Sequence, residues 1–171
     1  DKNIAVIGSA ASAIQLIPEL AKQAKQLHVY QRTANFILPR NDRDYSSKVQ
    51  SWLKRLPVLN KLYRALIFYR GEWVIFPLVK TKKDTHYRKL IRGLMKGFMK
   101  KSVDDAQLHE KLMPNYPIGC KRILLSDTFY PSLNQDNVEL ITNGIDAINK
   151  NGVVDANGKQ RDVDMIIYAT G

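Results

Sequence analysis

The sequence predicts an α/β fold with a parallel sheet, a large helical insertion and a β-meander or hairpin near the C-terminus. Three observations support this prediction: an apolar strand pattern opens the chain and leads into a helical pattern, a long basic helical segment follows, and strand patterns return after Pro117. A chain of 171 residues can form one domain with a sizeable insertion but is too short for two full α/β domains.

The first strand and helix begin a βαβ unit. Residues 3–8 are a continuous apolar run, as expected for a parallel strand covered by helices on both faces. Ser12 is the predicted N-cap of a helix whose apolar residues recur at helical spacing up to the region of Lys25. Pro18 predicts a bend rather than an end, because the apolar spacing continues beyond it. Residues 27–30 form the second strand and complete a unit of about 30 residues.

Residues from about 40 to 113 form the predicted helical insertion. Apolar residues at helical spacing alternate there with lysine and arginine, and nothing repeats at a fixed period. Proline and glycine should divide the segment into several short helices, at Pro57, Gly71, Pro77, Gly93 and Gly97.

Short apolar runs typical of strands follow the insertion. The predicted strands are residues 122–125, 138–142, 145–149, 153–154 and 163–168. Asn157 and Gly158 separate the last two and predict a hairpin turn, since both residues tolerate positive φ.

The positive charge is concentrated in one segment. The net charge is +11, and residues 40–101 hold 17 Lys and Arg against 4 Asp and Glu, a net +13 that leaves the remainder at 11 − 13 = −2. Such a segment could bind nucleic acid or an anionic membrane, and residues 62–79 combine aromatic and apolar side chains with flanking cations. Without a nucleic-acid-binding motif, we favour amphipathic helices that pack on this domain or on a neighbouring one.

Cysteine and histidine usage excludes two kinds of site. The single Cys120 cannot form an internal disulfide, and with no signal pattern or charge-free apolar run of about 18 residues we expect a cytoplasmic protein. Cys120 is expected to be a buried, unreactive thiol because no histidine lies near it in sequence. The three histidines lack metal-ligand spacing, so no metal site is predicted.

The turn from the first strand into the helix predicts a phosphate site. Gly8, Ser9, Ala10, Ala11 and Ser12 place backbone N–H groups and the positive end of a helix dipole at one point. The pattern keeps the first glycine of the G-x-G-x-x-G fingerprint and has alanine at the second and third glycine positions. A plain strand-to-helix turn is the alternative, and a Rossmann-like dinucleotide-binding domain is the functional interpretation.

The end of the second strand favours NADPH over NADH. An NAD-specific domain has an acidic residue about 20 positions after the glycines, where it accepts from the ribose 2′-hydroxyl. Here the strand ends in Gln31, Arg32 and Thr33. The Arg32 guanidinium suits a 2′-phosphate, although a solvated arginine at a strand end remains the alternative.

Taken with several downstream segments, these residues resemble the NADPH-binding domain of flavin-dependent monooxygenases, most closely the Baeyer–Villiger type. The resemblance rests on residues 4–14, 31–33, 39–40, 117–122, 137–140 and 168–171, together with Asp127 and Tyr130. A helical insert between the second strand and residues 117–122 is also similar to that family.

The resemblance implies further site residues and a second cofactor. Lys121 would join Arg32 and Thr33 around the 2′-phosphate, and Arg122 would be the catalytic residue that faces the flavin and the nicotinamide. The closing residues Ala169, Thr170 and Gly171 would also contact cofactor. FAD would bind a separate domain formed by segments on both sides of residues 1–171, so this chain alone is not expected to turn over.

Three functions follow as hypotheses. The first is delivery of hydride from NADPH to FAD, followed by oxygenation of a small-molecule ketone or heteroatom substrate with O₂. The second is a non-catalytic basic module that binds nucleic acid or an anionic membrane. The third is the NADPH domain of a flavin N-hydroxylase or reductase.

Overall fold

The computed structural model describes residues 2–80 and 85–170. The strands are β1 (Asn3–Ile7), β2 (Gln26–Tyr30), β3 (Ile37–Leu38), β4 (Leu124–Leu125), β5 (Val138–Ile141), β6 (Ile145–Ile148), β7 (Gly152–Asp155), β8 (Gln160–Asp162) and β9 (Met165–Tyr168). The helices are α1 (Ala11–Ala21), α2 (Ser47–Arg55), α3 (Pro57–Lys80), α4 (His86–Ser102), α5 (Ala106–Lys111) and α6 (Phe129–Ser132).

The central sheet is parallel and has the strand order β5-β2-β1-β9. Ile4 of β1 lies opposite Leu27 of β2 on one side and Met165 of β9 on the other. Residues 4–6 of β1 and 27–30 of β2 are buried because helices cover one face of the sheet and a small antiparallel sheet lies against the other. The predicted α/β class, parallel sheet, helical insertion and C-terminal meander are confirmed.

Helix α1 packs on the sheet through residues at helical spacing. Ala13, Ile14, Ile17 and Ala21 are buried in the main core, together with α6 and the end of α4. The predicted N-cap at Ser12 is wrong: Ala10 is the N-cap, in extended conformation, and its carbonyl accepts from the Ile14 amide at 3.1 Å. The helix also ends at Ala21, four residues before the Lys25 region, and it continues through Pro18 as predicted.

The insertion contains fewer and longer helices than its glycines and prolines predict. Pro57 begins α3, as a proline at a first helical position should. Gly71 and Pro77 lie inside α3, and Gly93 and Gly97 lie inside α4, so the prediction of a break at each of them is wrong. An isolated glycine costs a helix only about 1 kcal/mol, which the neighbouring turns offset.

Helix α4 anchors the insertion to the rest of the fold. Ile91 and Met95 of α4 are buried with Phe36 and Ile118 in a second apolar cluster. The two-stranded parallel pair β3–β4 lies beside it, and β3 was not predicted because two residues carry no periodic signal. Among the residues that the structure describes, none of the helices combines the length and apolar character that crossing a lipid bilayer requires.

The antiparallel sheet has the order β6-β7-β8. Asn157 and Gly158 do form the hairpin turn, with positive φ at Gly158 (79°) and a bond from its amide to the Asp155 carbonyl at 2.8 Å. The second arm is β8, however, and the apolar residues 163–168 contribute β9 to the central sheet instead. β8 was missed because its three residues are polar.

An ion cluster joins this small sheet to the central one. The Arg161 guanidinium donates to the Glu139 carboxylate of β5 at 2.7 and 2.8 Å and to Asp155 Oδ2 at 2.8 Å. His28 Nδ1 of β2 lies 3.0 Å from Glu139 Oε2. The cluster fixes β5, β7 and β8 against β2, beside the edge of the sheet where β2 ends.

Candidate functional site: a cofactor cavity at the carboxyl edge of the sheet

A cavity of about 530 Å³ lies where β1 and β2 end. Ligands of open α/β sheets bind at this carboxyl edge, beside the point where the strand order reverses. The order β5-β2-β1-β9 reverses at β1, and the loop after β1 lines the cavity. The other walls come from residues after β2, from the turn between β5 and β6, and from residues after β9: Arg32, Thr33, Asn35, Asn143, Gly144 and Thr170.

Gly8 is required by the close approach of β9 as well as by the turn. Its φ is +119°, a conformation that other residues rarely adopt. A Cβ at this position would lie 2.4 Å from the Ala169 carbonyl oxygen. The first glycine of the fingerprint therefore lets the phosphate loop pass directly over the end of β9.

The start of α1 faces this edge with amide groups that helix geometry leaves without intrahelical acceptors. No acidic residue occurs in the first turn to offset the positive end of the helix dipole. Ala13, at the third glycine position, is completely buried in the core between helix and sheet. An alanine methyl is accommodated there, so the close packing of helix on strand does not need glycine.

Two cations line the cavity from separate parts of the chain. Arg32 follows β2, and Lys121 lies in the loop before β4, 89 positions further along the chain. Both side chains are exposed, and Thr33 is half-buried beside Arg32. An exposed guanidinium and an ammonium group around one cavity form a site for a dianion such as a phosphate monoester.

A polar network connects the phosphate loop to the loop after β2. The Asn35 side-chain amide donates to the Ser9 carbonyl oxygen at 2.8 Å and to Ser9 Oγ at 3.3 Å. Ser9 Oγ donates to the Thr33 carbonyl oxygen at 3.2 Å. Ser9 is buried, so these bonds fix the loop before any ligand arrives.

Tyr116 extends this network to Lys121. Its hydroxyl donates to Asn35 Oδ1 at 3.4 Å, and its ring lies 4.7 Å below Lys121 Nζ. Burial raises the pKa of the Tyr116 hydroxyl, so the group stays neutral and able to donate at physiological pH.

The predicted site residues fall into two groups. Gly8, Ser9, Ala10, Arg32, Thr33, Lys121 and Thr170 all line the cavity. Ala11 and Ser12 lie in the first turn of α1, Ala169 is buried beneath Gly8, and Arg122 is exposed but does not line the cavity. Gly171 lies outside the described residues.

The sequence does not predict Asn35, Tyr116 and Asn143 as residues of this site. Asn35 follows Arg32 by three positions. An asparagine in a loop is common, so its side chain is only a weak signal of a site residue. Tyr116 precedes Pro117 and lies five positions before Lys121, and only the folded loop reveals its contact with the lysine.

The prediction that Cys120 is buried is wrong, since the residue is exposed. It lies in the irregular loop that carries Lys121, and none of the described helices or strands covers it. Within residues 2–80 and 85–170, no group of three or more His, Cys, Asp or Glu side chains comes together as a metal site would require.

A second cavity, of about 600 Å³, lies between α2 and α3. Its walls are mainly apolar and include Leu53, Leu59, Leu62 and Leu66. It contains none of the predicted site residues and is separate from the carboxyl edge of the sheet.

No family model matches the chain. Curated relatives match along nearly its whole length: a Baeyer–Villiger monooxygenase of Pseudomonas aeruginosa is 40% identical over 170 residues, and the FAD-binding monooxygenase ktnD of Aspergillus niger is 37% identical over 171 residues. The matches cover 99% of this chain but only 32% and 28% of those proteins. The chain therefore spans about a third of the length of the curated relatives it matches.

A solved structure agrees with these relatives. An oxidized steroid monooxygenase bound to NADP superposes with a TM-score of 0.80 at 27% identity, covering 99% of this chain and 39% of that one. The predicted resemblance to one region of flavin-dependent monooxygenases of the Baeyer–Villiger type is confirmed.

Proposed function

We propose that this chain, a homologue of one region of Baeyer–Villiger monooxygenases, is the domain that holds NADPH for a flavin elsewhere in a longer polypeptide. One observation carries the proposal: Arg32 and Lys121 line the same cavity as the glycine turn, and none of residues 31–41 directly after β2 is acidic. The pyrophosphate would bind over residues 8–12, and the ribose 2′-phosphate would bind Arg32, Thr33 and Lys121.

The residues fit NADPH better than NADH. Gly8 lets the turn lie directly against the end of β9, and the cavity volume of about 530 Å³ suits part of a dinucleotide that extends across the edge of the sheet. An aspartate or glutamate in place of Arg32 would select the 2′-hydroxyl of NADH, whereas this arginine attracts a phosphate dianion. Ala10 places a methyl group where the second glycine would allow closer approach, so the affinity rests more on the cations.

NADPH supplies a hydride when it is bound, and the protein supplies binding and orientation. In this proposal Thr170 and the end of β9 position the nicotinamide half, since they lie beside Gly8 on the opposite side from Arg32. Ala169 and Gly171 belong to the same closing segment. Arg122 would face the flavin and the nicotinamide, outside the cavity that the present chain forms.

Calorimetric titration of the chain with NADPH and with NADH tests the cofactor assignment. We expect NADPH to bind at least tenfold more tightly, because the 2′-phosphate adds charge-assisted bonds of about 1.5–3 kcal/mol in total. Equal affinities, or no detectable binding of NADPH, would remove the assignment.

For the longer polypeptide we propose transfer of hydride from NADPH to FAD and oxygenation of a ketone or heteroatom in a small-molecule substrate. An N-hydroxylase or reductase shares the same two-nucleotide plan. Product analysis of the flavin-loaded polypeptide distinguishes these reactions. An ester or lactone formed from a ketone supports the Baeyer–Villiger reaction. Consumption of NADPH that yields only a reduced electron acceptor, with no oxygenated product, would exclude it.

The exposed face of α3 belongs, in this proposal, to the contact with the flavin-binding part. Val58, Leu62, Leu66, Tyr69 and Trp73 recur at helical spacing on α3 and are between 56% and 75% exposed. An apolar stripe of this size marks an interaction surface. Binding to an anionic membrane or to nucleic acid through the surrounding cations is the competing explanation.

A cytoplasmic location is also part of the proposal. It agrees with a lone and exposed cysteine, since reducing compartments keep such thiols free.

A further inference from the structure

Lys121 rests on the ring of Tyr116, and this contact links the helical insertion to the cofactor cavity. Lys121 Nζ lies 4.7 Å from the centre of the Tyr116 ring, within the range of a cation–π interaction. The lysine is exposed and lies within an irregular loop, so without a support its four-carbon side chain would sample many rotamers.

Tyr116 is itself held from two directions. Its ring meets Phe36 edge-on, with centroids 5.4 Å apart and an interplanar angle of 80°. Phe36 is 2% exposed and belongs to the apolar cluster that Ile91 and Met95 of α4 complete. The Tyr116 hydroxyl, on its other side, donates to Asn35 Oδ1 at 3.4 Å.

Asn35 carries the connection to the phosphate loop. Its amide donates to both oxygens of Ser9, and Ser9 in turn donates to the Thr33 carbonyl oxygen. The same amide side chain therefore orients the loop that would receive the pyrophosphate and the ring that supports the lysine. Asn35 and Lys121 both line the cavity.

We propose that Tyr116 is a positioning residue for 2′-phosphate recognition: its ring holds Lys121 at the cavity, and α4 of the insertion holds the ring through Phe36. The proposal rests on the assignment of the cavity to NADPH. It gives the insertion a part in cofactor selectivity, although the cavity is lined by none of the residues that the structure describes in α2, α3, α4 and α5.

Tyr116→Leu, Tyr116→Phe and Tyr87→Leu variants of the chain test this role. Tyr87 packs against the same apolar cluster but does not line the cavity, so it controls for loss of an aromatic ring from that cluster. We expect Tyr116→Leu to weaken NADPH binding about two- to fivefold and to leave NADH binding unchanged, because only NADPH carries the phosphate that Lys121 would meet. Tyr116→Phe keeps the ring and should retain most of the preference for NADPH over NADH. Tyr87→Leu should retain all of that preference.

Proton NMR of Lys121 provides a readout that needs no cofactor. The ring current of Tyr116 should shift the Cε protons of Lys121 upfield in the unchanged chain and in Tyr116→Phe, but not in Tyr116→Leu. Ordinary lysine shifts in the unchanged chain would overturn the proposal, as would equal weakening of NADPH and NADH by Tyr116→Leu. If the parent chain clearly prefers NADPH and Tyr116→Leu has the same ratio of NADPH to NADH affinity, this role of Tyr116 would be overturned and the NADPH assignment would stay intact. Failure of the parent chain to bind NADPH would overturn both.

Discussion

At the scale of single residues, Arg32 is the side chain that we propose distinguishes NADPH from NADH. It follows the last residue of β2 by two positions and lines the cavity together with Lys121. A guanidinium donates two hydrogen bonds to a phosphate, whereas the carboxylate of an aspartate would repel it. In the proposed function, the choice of cofactor would therefore depend on side chains at the rim of the cavity, whereas the backbone of the turn at Gly8 would serve either dinucleotide.

Arg32→Ala should weaken NADPH binding about ten- to a hundredfold and change NADH binding less than twofold. The loss corresponds to about 1.5–3 kcal/mol for charge-assisted hydrogen bonds to one phosphate. Calorimetry of both dinucleotides measures it, with Arg55→Ala as the control because Arg55 is an exposed arginine on α2, away from the cavity. Parallel weakening of both dinucleotides would contradict the role of Arg32.

Gly8→Ala should destabilise the fold by about 2 kcal/mol or more. A methyl group at this position would lie 2.4 Å from the Ala169 carbonyl oxygen, and φ of +119° strains any L side chain. Gly93→Ala is the matched control: nothing lies within 4 Å of its Cβ position, and in the interior of α4 alanine should stabilise by about 0.5–1 kcal/mol. Urea unfolding of the two variants should therefore give changes of opposite sign.

At the scale of elements, the ion cluster around Arg161 decides how the antiparallel sheet sits on the central one. Hydrogen bonds from Arg161 lower the pKa of Glu139 to about 2 and that of Asp155 to about 2, against the opposing effect of burial. Burial lowers the pKa of His28, although its bond to Glu139 works in the other direction. All three groups therefore favour the folded state more strongly at neutral pH than in acid.

Stability should fall in two stages as the pH is lowered. The folded-state pKa of His28 is below 6.5, so protonation favours the unfolded chain once the pH drops below that value. The carboxylates, with folded-state pKa values below their ordinary 4.5 and 3.8, lose their contribution as the pH falls from about 4.5 towards 2. Urea midpoints measured from pH 8 to pH 2 check both stages; a constant midpoint below pH 5 would contradict the cluster.

Arg161→Met should cost about 3 kcal/mol or more at pH 7. Asp155 is 1% exposed, and removal of Arg161 leaves its buried carboxylate without that cation, held by the backbone amides of Asn157 and Lys159. Lys159→Met is the control, since Lys159 also faces Glu139, at 3.5 Å, but is 63% exposed and should contribute less than about 1 kcal/mol. If both variants lost a similar free energy of unfolding, burial would not explain the contribution of Arg161.

The elements that the sequence predicted best are those with a long periodic pattern. β1 has a continuous apolar run, α1 has helical spacing and β2 completes a βαβ unit of the expected length, and the structure places all three within a few residues of the expected bounds. The breaks expected at Gly71 and Gly93 did not occur, because local propensity yields to the neighbouring turns of a long helix. β8 escaped prediction because its three residues are polar, and the pairing of Arg161 with acids on β5 and β7 leaves no pattern in the sequence.

The candidate site divides in the same way. The glycine turn and Arg32 could be predicted because a fingerprint and a missing acid are local signals. Tyr116 and Asn35 could not, since their contacts join residues 81 positions apart in the chain. Exposure of Cys120 was also beyond prediction, because burial in a loop depends on which elements cover that loop.

At the scale of the whole molecule, the described chain has a well-packed part around the sheet and an exposed part formed by α2 and α3. The sheet, α1, α4 and α6 share buried cores, whereas no residue of α2 with assigned burial is buried and Trp73 of α3 is 75% exposed. The relatives are about three times as long as this chain. A surface of this kind is expected to pack against a further part of a longer polypeptide.

Hydroxyl-radical footprinting can identify what covers α3. We expect oxidation of Trp73 to be at least fivefold slower in a longer polypeptide that includes the flavin-binding part than in the 171-residue chain. Protection of the chain by anionic vesicles or by DNA, lost at high salt, would instead support the competing membrane or nucleic-acid functions. Equal oxidation in the chain and the longer polypeptide would show that the flavin-binding part does not cover α3.

The central claim is that the carboxyl edge of this sheet holds NADP(H). A titration of the isotopically labelled chain with NADP⁺, followed by amide chemical shifts and repeated with NAD⁺, tests it most directly. We predict shifts at residues 8–12, 31–33, 121 and 143–145 with NADP⁺, and much weaker shifts at 31–33 and 121 with NAD⁺. Shifts confined to the cavity between α2 and α3, or the same response to both dinucleotides, would contradict the claim.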